Sequence, residues 1–106
     1  MKFATPLVLL VLTAAASPPG NTFLADMTTA MERMHHGMMR PASGDPDRDF
    51  AEMMIVHHEG AIDMAKIQLQ YGKNEQLRRL AQGIIVEQQQ EIATMKRILD
   101  EHKASH

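Results

Sequence analysis

The sequence predicts an all-α fold, an antiparallel helical bundle with three helices in each chain. Apolar residues recur every three or four positions along three segments, turn-forming residues separate those segments, and no stretch shows the strict alternation typical of strands. A chain of 106 residues has a thin hydrophobic core, so pairing of two copies could complete a larger bundle.

The first 16 residues have the pattern of an export signal. Lys2 gives a positive start, residues 6–15 form an apolar run, and Ala14 and Ala16 are the small residues of a cleavage site. The run is too short to span a bilayer. We therefore expect residues 1–16 to be a signal peptide, and the mature protein to be periplasmic or secreted without stable membrane insertion.

Charge and cysteine content narrow the functional classes. The formal net charge is −2, so no basic excess is available for phosphate contacts and no nucleic-acid partner is expected. The chain has no cysteine, so disulfides cannot stabilise this small exported domain. Helix packing, self-association or a bound metal ion must do so instead.

The helical domain is expected at residues 23–106, after an extended lead-in at residues 17–22. The lead-in contains two prolines and a glycine, which are poor helix formers. Helix 1 is predicted over residues 23–39, where methionine recurs every three or four positions. Residues 40–46 form a turn short enough to make helices 1 and 2 antiparallel.

Helix 2 has the clearest predicted boundaries. Asp45 is a suitable N-cap and Pro46 a suitable first helical residue. The helix that starts here should carry residues 47–71. Gly72 should end it in the left-handed conformation.

Helix 3 is expected over residues 75–103, with Asn74 as its N-cap. Its arginines, Arg78 among them, should lie in solvent. Solvent exposure is also expected for three histidines, His36, His102 and His106.

One stripe of helix 2 should face the core. At about 100° per residue, it comprises Phe50, Met54, His57, Ala61, Met64 and Gln68. His58 falls on its margin. A buried imidazole without a partner costs on the order of 1–3 kcal/mol, so His57 needs one. A soft metal ion is one solution, and a hydrogen bond to another helix, for example to Gln88, is the other.

Two clusters of methionine and histidine carry the candidate chemistry. The first lies on helix 1 and comprises Met31, Met34, His35, His36, Met38 and Met39. The second lies on helix 2 and comprises Met53, Met54, His57, His58 and Met64. Side chains three or four residues apart on a helix are neighbours and can converge on one ion. Thioether sulfur with imidazole favours Cu(I), with Ag(I) as a surrogate and Cu(II) as a second oxidation state to consider.

Two other functional classes stay open. Methionine packs irregular gaps well, so the alternative is a structural or protein-interaction module with methionine-rich docking faces and no physiological metal. The sequence contains no HExxH, phosphate-loop or GxSxG motif, so an enzyme is not expected. A redox enzyme using His57 and His58 with Glu59 would be the catalytic alternative.

Residues 47–99 resemble a known family. The string MxxHHxxAIxM, from Met54 to Met64, and the string IIxxQxxEIxxM, from Ile84 to Met95, are similar to the family called domain of unknown function 305, which includes CopM-like periplasmic copper-binding proteins. The resemblance implies a ferritin-like helical bundle that binds Cu(I) or Ag(I) in members linked to copper tolerance. Its motif positions fall here on Met54, His57, His58, Met64, Gln88 and Met95.

The sequence therefore predicts an exported protein that sequesters or delivers Cu(I) or Ag(I) and contributes to copper tolerance or homeostasis. A delivery role would require a copper-exchange protein as partner. The predicted metal ligands are Met31, Met34, His35, Met38, Met54, His57, His58, Met64 and Met95.

Overall fold

The computed structural model describes residues 2–7 and 19–105. Most of the predicted signal peptide lies outside this part of the chain. The three helices are α1 (Pro19–Met38), α2 (Pro46–Tyr71) and α3 (Glu75–Ser105). No helix in the described ranges is long and apolar enough to cross a membrane. The all-α prediction is confirmed, since the described residues contain no strand.

The extended lead-in predicted at residues 17–22 is wrong where the structure can be compared, because α1 already begins at Pro19. Proline is tolerated in the first turn of a helix, where its missing N–H would have had no helical partner. The lead-in was predicted from proline as a helix breaker, without its tolerance in the first turn. Residues 17 and 18, and His106 at the other end, lie outside the described residues.

α2 lies between α1 and α3 and runs antiparallel to both. Tyr71, the last residue of α2, donates a hydrogen bond of 2.6 Å to Asp26 near the beginning of α1. On the other side, the start of α2 meets the end of α3, where His102 Nε2 lies 2.5 Å from Asp45 Oδ2. Within the described helices, no Cα atom of α1 comes within 8 Å of one in α3. The three helices therefore form an open layer with α2 in the middle.

The turn from α1 to α2 ends in the N-cap predicted for Asp45. Its side chain accepts hydrogen bonds from the backbone N–H groups of Asp47 (3.1 Å) and Arg48 (3.4 Å). His102, expected in solvent, is instead half-buried against this cap, and its hydrogen bond holds the pKa of Asp45 below the usual value of 3.8. The end of α3 is thereby tied to the start of α2.

The end of α2 differs from the prediction. Gly72 has φ −74° and ψ 147°, an extended rather than left-handed conformation. Arg78, expected in solvent, donates from Nη1 to the carbonyl oxygens of Leu69 (2.6 Å) and Gly72 (3.0 Å). Its guanidinium donates hydrogen bonds to carbonyl groups at the end of the helix. In a left-handed glycine turn, backbone N–H groups would donate to such carbonyls instead. The predicted cap at Asn74 is confirmed, since its Oδ1 accepts from the N–H of Leu77 at 3.0 Å.

Small residues bring the helices close together. A Cβ added to Gly60 of α2 would lie 2.5 Å from Sδ of Met34, and one added to Gly37 of α1 would lie 2.8 Å from Cγ1 of Val56. Alanines occupy many of the other buried positions. The buried apolar residues are Ala30, Ala51, Ile62, Ala65, Ala81, Ile92 and Leu99. Close helix approach, rather than large buried side chains, makes this core.

Replacing Gly60 with alanine should destabilise the protein. Overpacking against Met34 costs roughly 1–3 kcal/mol, and alanine recovers only about 1 kcal/mol through its better helix propensity. Gly83 is the matched control, because a Cβ there meets nothing within 4 Å. Gly83→Ala should therefore raise the free energy of unfolding by about 1 kcal/mol. Urea unfolding measures both variants, and equal stabilisation by both would contradict the close contact at Gly60.

The hydroxyl of Tyr71 should ionise at higher pH in the folded protein than in the unfolded chain. Its hydrogen bond to Asp26, together with partial burial, raises the pKa of Tyr71 above 10.0. The chain has one tyrosine and no tryptophan, so the ultraviolet absorbance of the phenolate follows this group alone. In Asp26→Asn the midpoint should move back towards 10.0, as it should for the wild type in urea. An unchanged midpoint in Asp26→Asn would exclude the contact.

Stability should fall in acid through Asp45. Because the pKa of Asp45 is lower in the folded state, its contribution is complete above pH 3.8 and is lost as the pH falls through the folded value. Asp45→Asn keeps an N-capping oxygen but removes this titration, so its stability should vary less over that range. Thermal unfolding between about pH 2 and 5 tests this. His102→Ala, which removes the hydrogen-bond donor, should also flatten the profile.

Candidate metal centre

The face of α2 that meets α3 is not the predicted one. His58 lies among the positions that approach α3, and its side chain is only 12% exposed. His57, predicted to point into the core, is exposed, and Phe50 is 65% exposed. The predicted stripe is wrong because α2 packs against neighbours on two opposite sides. Each buried face lies to one side of the stripe, of which Phe50 and His57 are exposed and the other four residues are half-buried.

A groove of about 330 Å³ runs between α2 and α3 beside His58. It is lined by Phe50, Met54, His58, Glu91, Thr94 and Met95. Two thioethers, one from each helix, thus share a groove with a mostly buried imidazole. The structure therefore brings together three of the predicted ligands, Met54, His58 and Met95.

The two ring nitrogens of His58 have different surroundings. Nε2 contacts the carboxylate Oε2 of Glu91 on α3. Nδ1 is buried and, within the described residues, has no hydrogen-bond partner. With the proton on Nε2, donated to Glu91, Nδ1 carries a free lone pair. A buried acceptor without a partner costs about 1–3 kcal/mol, which a bound metal ion would offset.

Glu91 is the functional residue that sequence reasoning missed. Histidines that bind metal ions commonly donate their other ring N–H to a carboxylate, which fixes the tautomer and orients the ring. Glu91 has this relation to His58 from the facing helix. The available signal was its position in the predicted helix 3, one turn before Met95. Without the packing of α2 on α3, that signal could not be connected to His58.

The predicted ligands on helix 1 lie on the opposite side of α2. Met34 packs against Gly60, while His35 is exposed and Met31 is 44% exposed. Met38 is half-buried. Because α1 and α3 flank α2 on opposite sides, these residues do not join the groove with Met54 and Met95.

The other predicted ligands of α2 lie on the helix 1 side of the groove. His57 and Met64 stand three residues before and four after Gly60, and are therefore its neighbours on the helix surface. The ring centroids of His57 and His58 are 5.9 Å apart, but neither His57 nor Met64 lines the groove with Met95. The hydrogen bond to Gln88, which the sequence offered His57 as the alternative to a metal ion, is not formed among the described residues, where His57 is exposed.

The groove would suit a soft metal ion. In the part of the chain that the structure describes, no three histidine, aspartate or glutamate side chains form a metal-binding group. An ion held here would therefore need the sulfurs of Met54 and Met95 in addition to His58. Two neutral thioethers and one imidazole form a donor set that fits Cu(I) or Ag(I) better than Mg²⁺ or Ca²⁺.

Two comparisons with known proteins bear on this chain. The family model described as domain of unknown function (DUF305) matches residues 13–99. The uncharacterized protein L153 of Acanthamoeba polyphaga mimivirus is 42% identical over 57 residues, which are 54% of this chain and 38% of the viral protein. The match thus spans well under half of that relative. Because the family model covers most of the sequence, this protein belongs to the DUF305 family.

Proposed function

We propose that the protein binds Cu(I) in the groove between α2 and α3 and works as an exported protein that sequesters or delivers copper. The observation that carries this proposal is the buried Nδ1 of His58, which lacks a hydrogen-bond partner in the described structure while Glu91 occupies the other ring nitrogen. Met54 and Met95 line the same groove and supply soft sulfur ligands.

The chemistry of the ligands favours binding and transfer over catalysis. Thioethers carry no charge and need no deprotonation, so they keep their affinity for Cu(I) in mildly acidic surroundings. The groove is open to solvent along one side of the layer, which would give a copper-exchange protein access to the ion. A periplasmic or secreted location and a role in copper tolerance are consistent with this chemistry.

A competition titration of the exported protein tests the proposal. Cu(I) is titrated anaerobically against a chromophoric chelator, with Zn²⁺ run alongside. Glu91→Gln should weaken Cu(I) binding roughly 10–100-fold, because it loosens the orientation of His58. The double variant Met54→Leu and Met95→Leu should weaken it further, since both sulfur ligands are lost while side-chain volume is nearly kept.

The matched control removes two sulfurs outside the groove. Met31 and Met39 are 44% and 70% exposed, so replacing both with leucine should leave folding and Cu(I) affinity unchanged. Equal losses of affinity in this control and in the groove variant would assign binding to methionine content in general. Retained affinity in the groove variant would overturn the site.

The runner-up function is an interaction module without a physiological metal, and the exposure of Phe50 at the mouth of the groove favours it. Ag(I) distinguishes the two functions. An ion that binds only the folded state stabilises it by about 2.7 kcal/mol at a concentration 100 times its Kd. A melting temperature that rises with Ag(I) supports the metal site, and one that Ag(I) leaves unchanged supports the interaction module.

A further inference from the structure

The open side of α2 is the most apolar part of that helix's surface. It carries the stripe that the sequence placed in the core, from Phe50 through Ala61 to Gln68. The opposite side of α2 is charged, with Arg48 paired to Glu52 and with Lys66 near the Arg33–Asp63 ion pair of the α1 contact. The layer therefore has one apolar and one charged side.

The apolar side continues onto α3. Ile98, 47% exposed, lines a hollow together with Phe50 of α2. Leu80, 59% exposed, stands 18 residues before Ile98, which is five full turns, so both point the same way from α3. Phe50, Leu80 and Ile98 thus point to the same side of the layer, where Glu91, whose side chain is 58% exposed, lies between Leu80 and Ile98 along α3.

The same side continues onto α1. Asp26 and Arg33 lie at the charged groove between α1 and α2. Leu24 stands two residues before Asp26, and Met31 two residues before Arg33. Each is therefore about 160° around α1 from that neighbour and lies on the side away from the charged groove. Both are exposed. All three helices therefore contribute large apolar side chains to the same open side of the layer, which we call the apolar face.

A single chain buries few large apolar side chains, and it leaves those of the apolar face uncovered. Its buried apolar positions include four alanines, the larger ones are Ile62, Ile92 and Leu99, and in the described residues no large side chain is fully buried. Large exposed apolar side chains gathered on one side of a layer are typical of an interface. The missing core therefore has to come from whatever covers the apolar face.

We propose that a second copy of the chain covers it, so that two layers stack with their apolar faces together. Three helices side by side are about 30 Å wide and α2 is about 39 Å long, which gives each face roughly 1,200 Å². A stable interface needs only about 800 Å² from each partner. A two-fold axis through the centre of α2 matches this face with itself, and the charged sides remain in solvent.

The dimer also closes the candidate metal centre. The groove at Met54 and Met95 opens beside Phe50, on the apolar face, so the second layer covers its mouth. This part of the inference rests on the proposed copper function, whereas the dimer itself does not. Covering the groove would exclude water from a bound ion and couple its release to opening of the dimer.

Analytical ultracentrifugation of the exported protein, with a copper chelator present, tests the dimer. The wild type should sediment at twice the chain mass at micromolar concentration. Ile98→Lys should raise the dissociation constant at least ~100-fold, because it places an unpaired charge in the apolar interface. Since Ile98 is already 47% exposed in one chain, the helicity should stay unchanged by circular dichroism.

Val86→Lys is the matched control. Val86 is 54% exposed on the same helix, but it lies about 120° around α3 from Ile98, on the flank that carries Arg79 and Arg97. This variant should remain dimeric. If Ile98→Lys loses helicity, Leu80→Lys on the same face replaces it in the comparison.

Four outcomes would overturn the inference. They are a wild type that is monomeric at about 100 µM, an Ile98→Lys variant that keeps both its helicity and its dimer, dissociation of the Val86→Lys control, and a monomer that uses this face to bind vesicles of neutral phospholipid. The copper titration is independent of these results. A dimer without Cu(I) affinity would remove only the proposed function, and a Cu(I)-binding monomer would remove only the dimer.

Discussion

The position of α2 between two helices on opposite sides controls the rest of the structure. On one side, Gly60 lets Met34 approach the α2 backbone, and on the other, the small buried residue Ala51 lines a hollow with Leu99 of α3. A helix held in this way has two buried faces about 180° apart and two open faces between them. The arrangement decides which histidine is buried, where the groove forms and which apolar side chains remain uncovered.

The His58–Glu91 contact is the chemical consequence of this packing. A mostly buried imidazole normally has partners for both nitrogens, and here only Nε2 has one among the described residues. The thioethers of Met54 and Met95 line the groove beside this histidine, and two thioethers with an imidazole form a donor set that suits a soft cation. Met34, by contrast, is used for packing against Gly60. Methionine thus lies in different surroundings on the two sides of α2, packed against a glycine on one and lining a groove on the other.

Contacts at the two ends of α2 complete the layer. His102, near the end of α3, is hydrogen-bonded to the N-cap residue Asp45. Arg78, in the first turn of α3, donates to the carbonyl of Leu69 in the last turn of α2. Their polar tips reach a capping carboxylate and a backbone carbonyl, and both residues are partly buried. They fix how α3 lies along α2, and with it the position of Glu91 opposite His58.

The sequence by itself determined the number of helices and most of their boundaries, because these depend on local forces, and it supplied the residue types of the candidate metal centre. Asp45 and Asn74 cap the helices that follow them using only their own neighbours. Helical periodicity also located an apolar stripe on α2, but it could not say whether another helix covers that stripe. Only the tertiary structure decided that His58 rather than His57 is buried, that Glu91 meets it, and that Phe50 is left open. The physical reason is that burial depends on which neighbour covers a face, and periodicity contains no information about the neighbour.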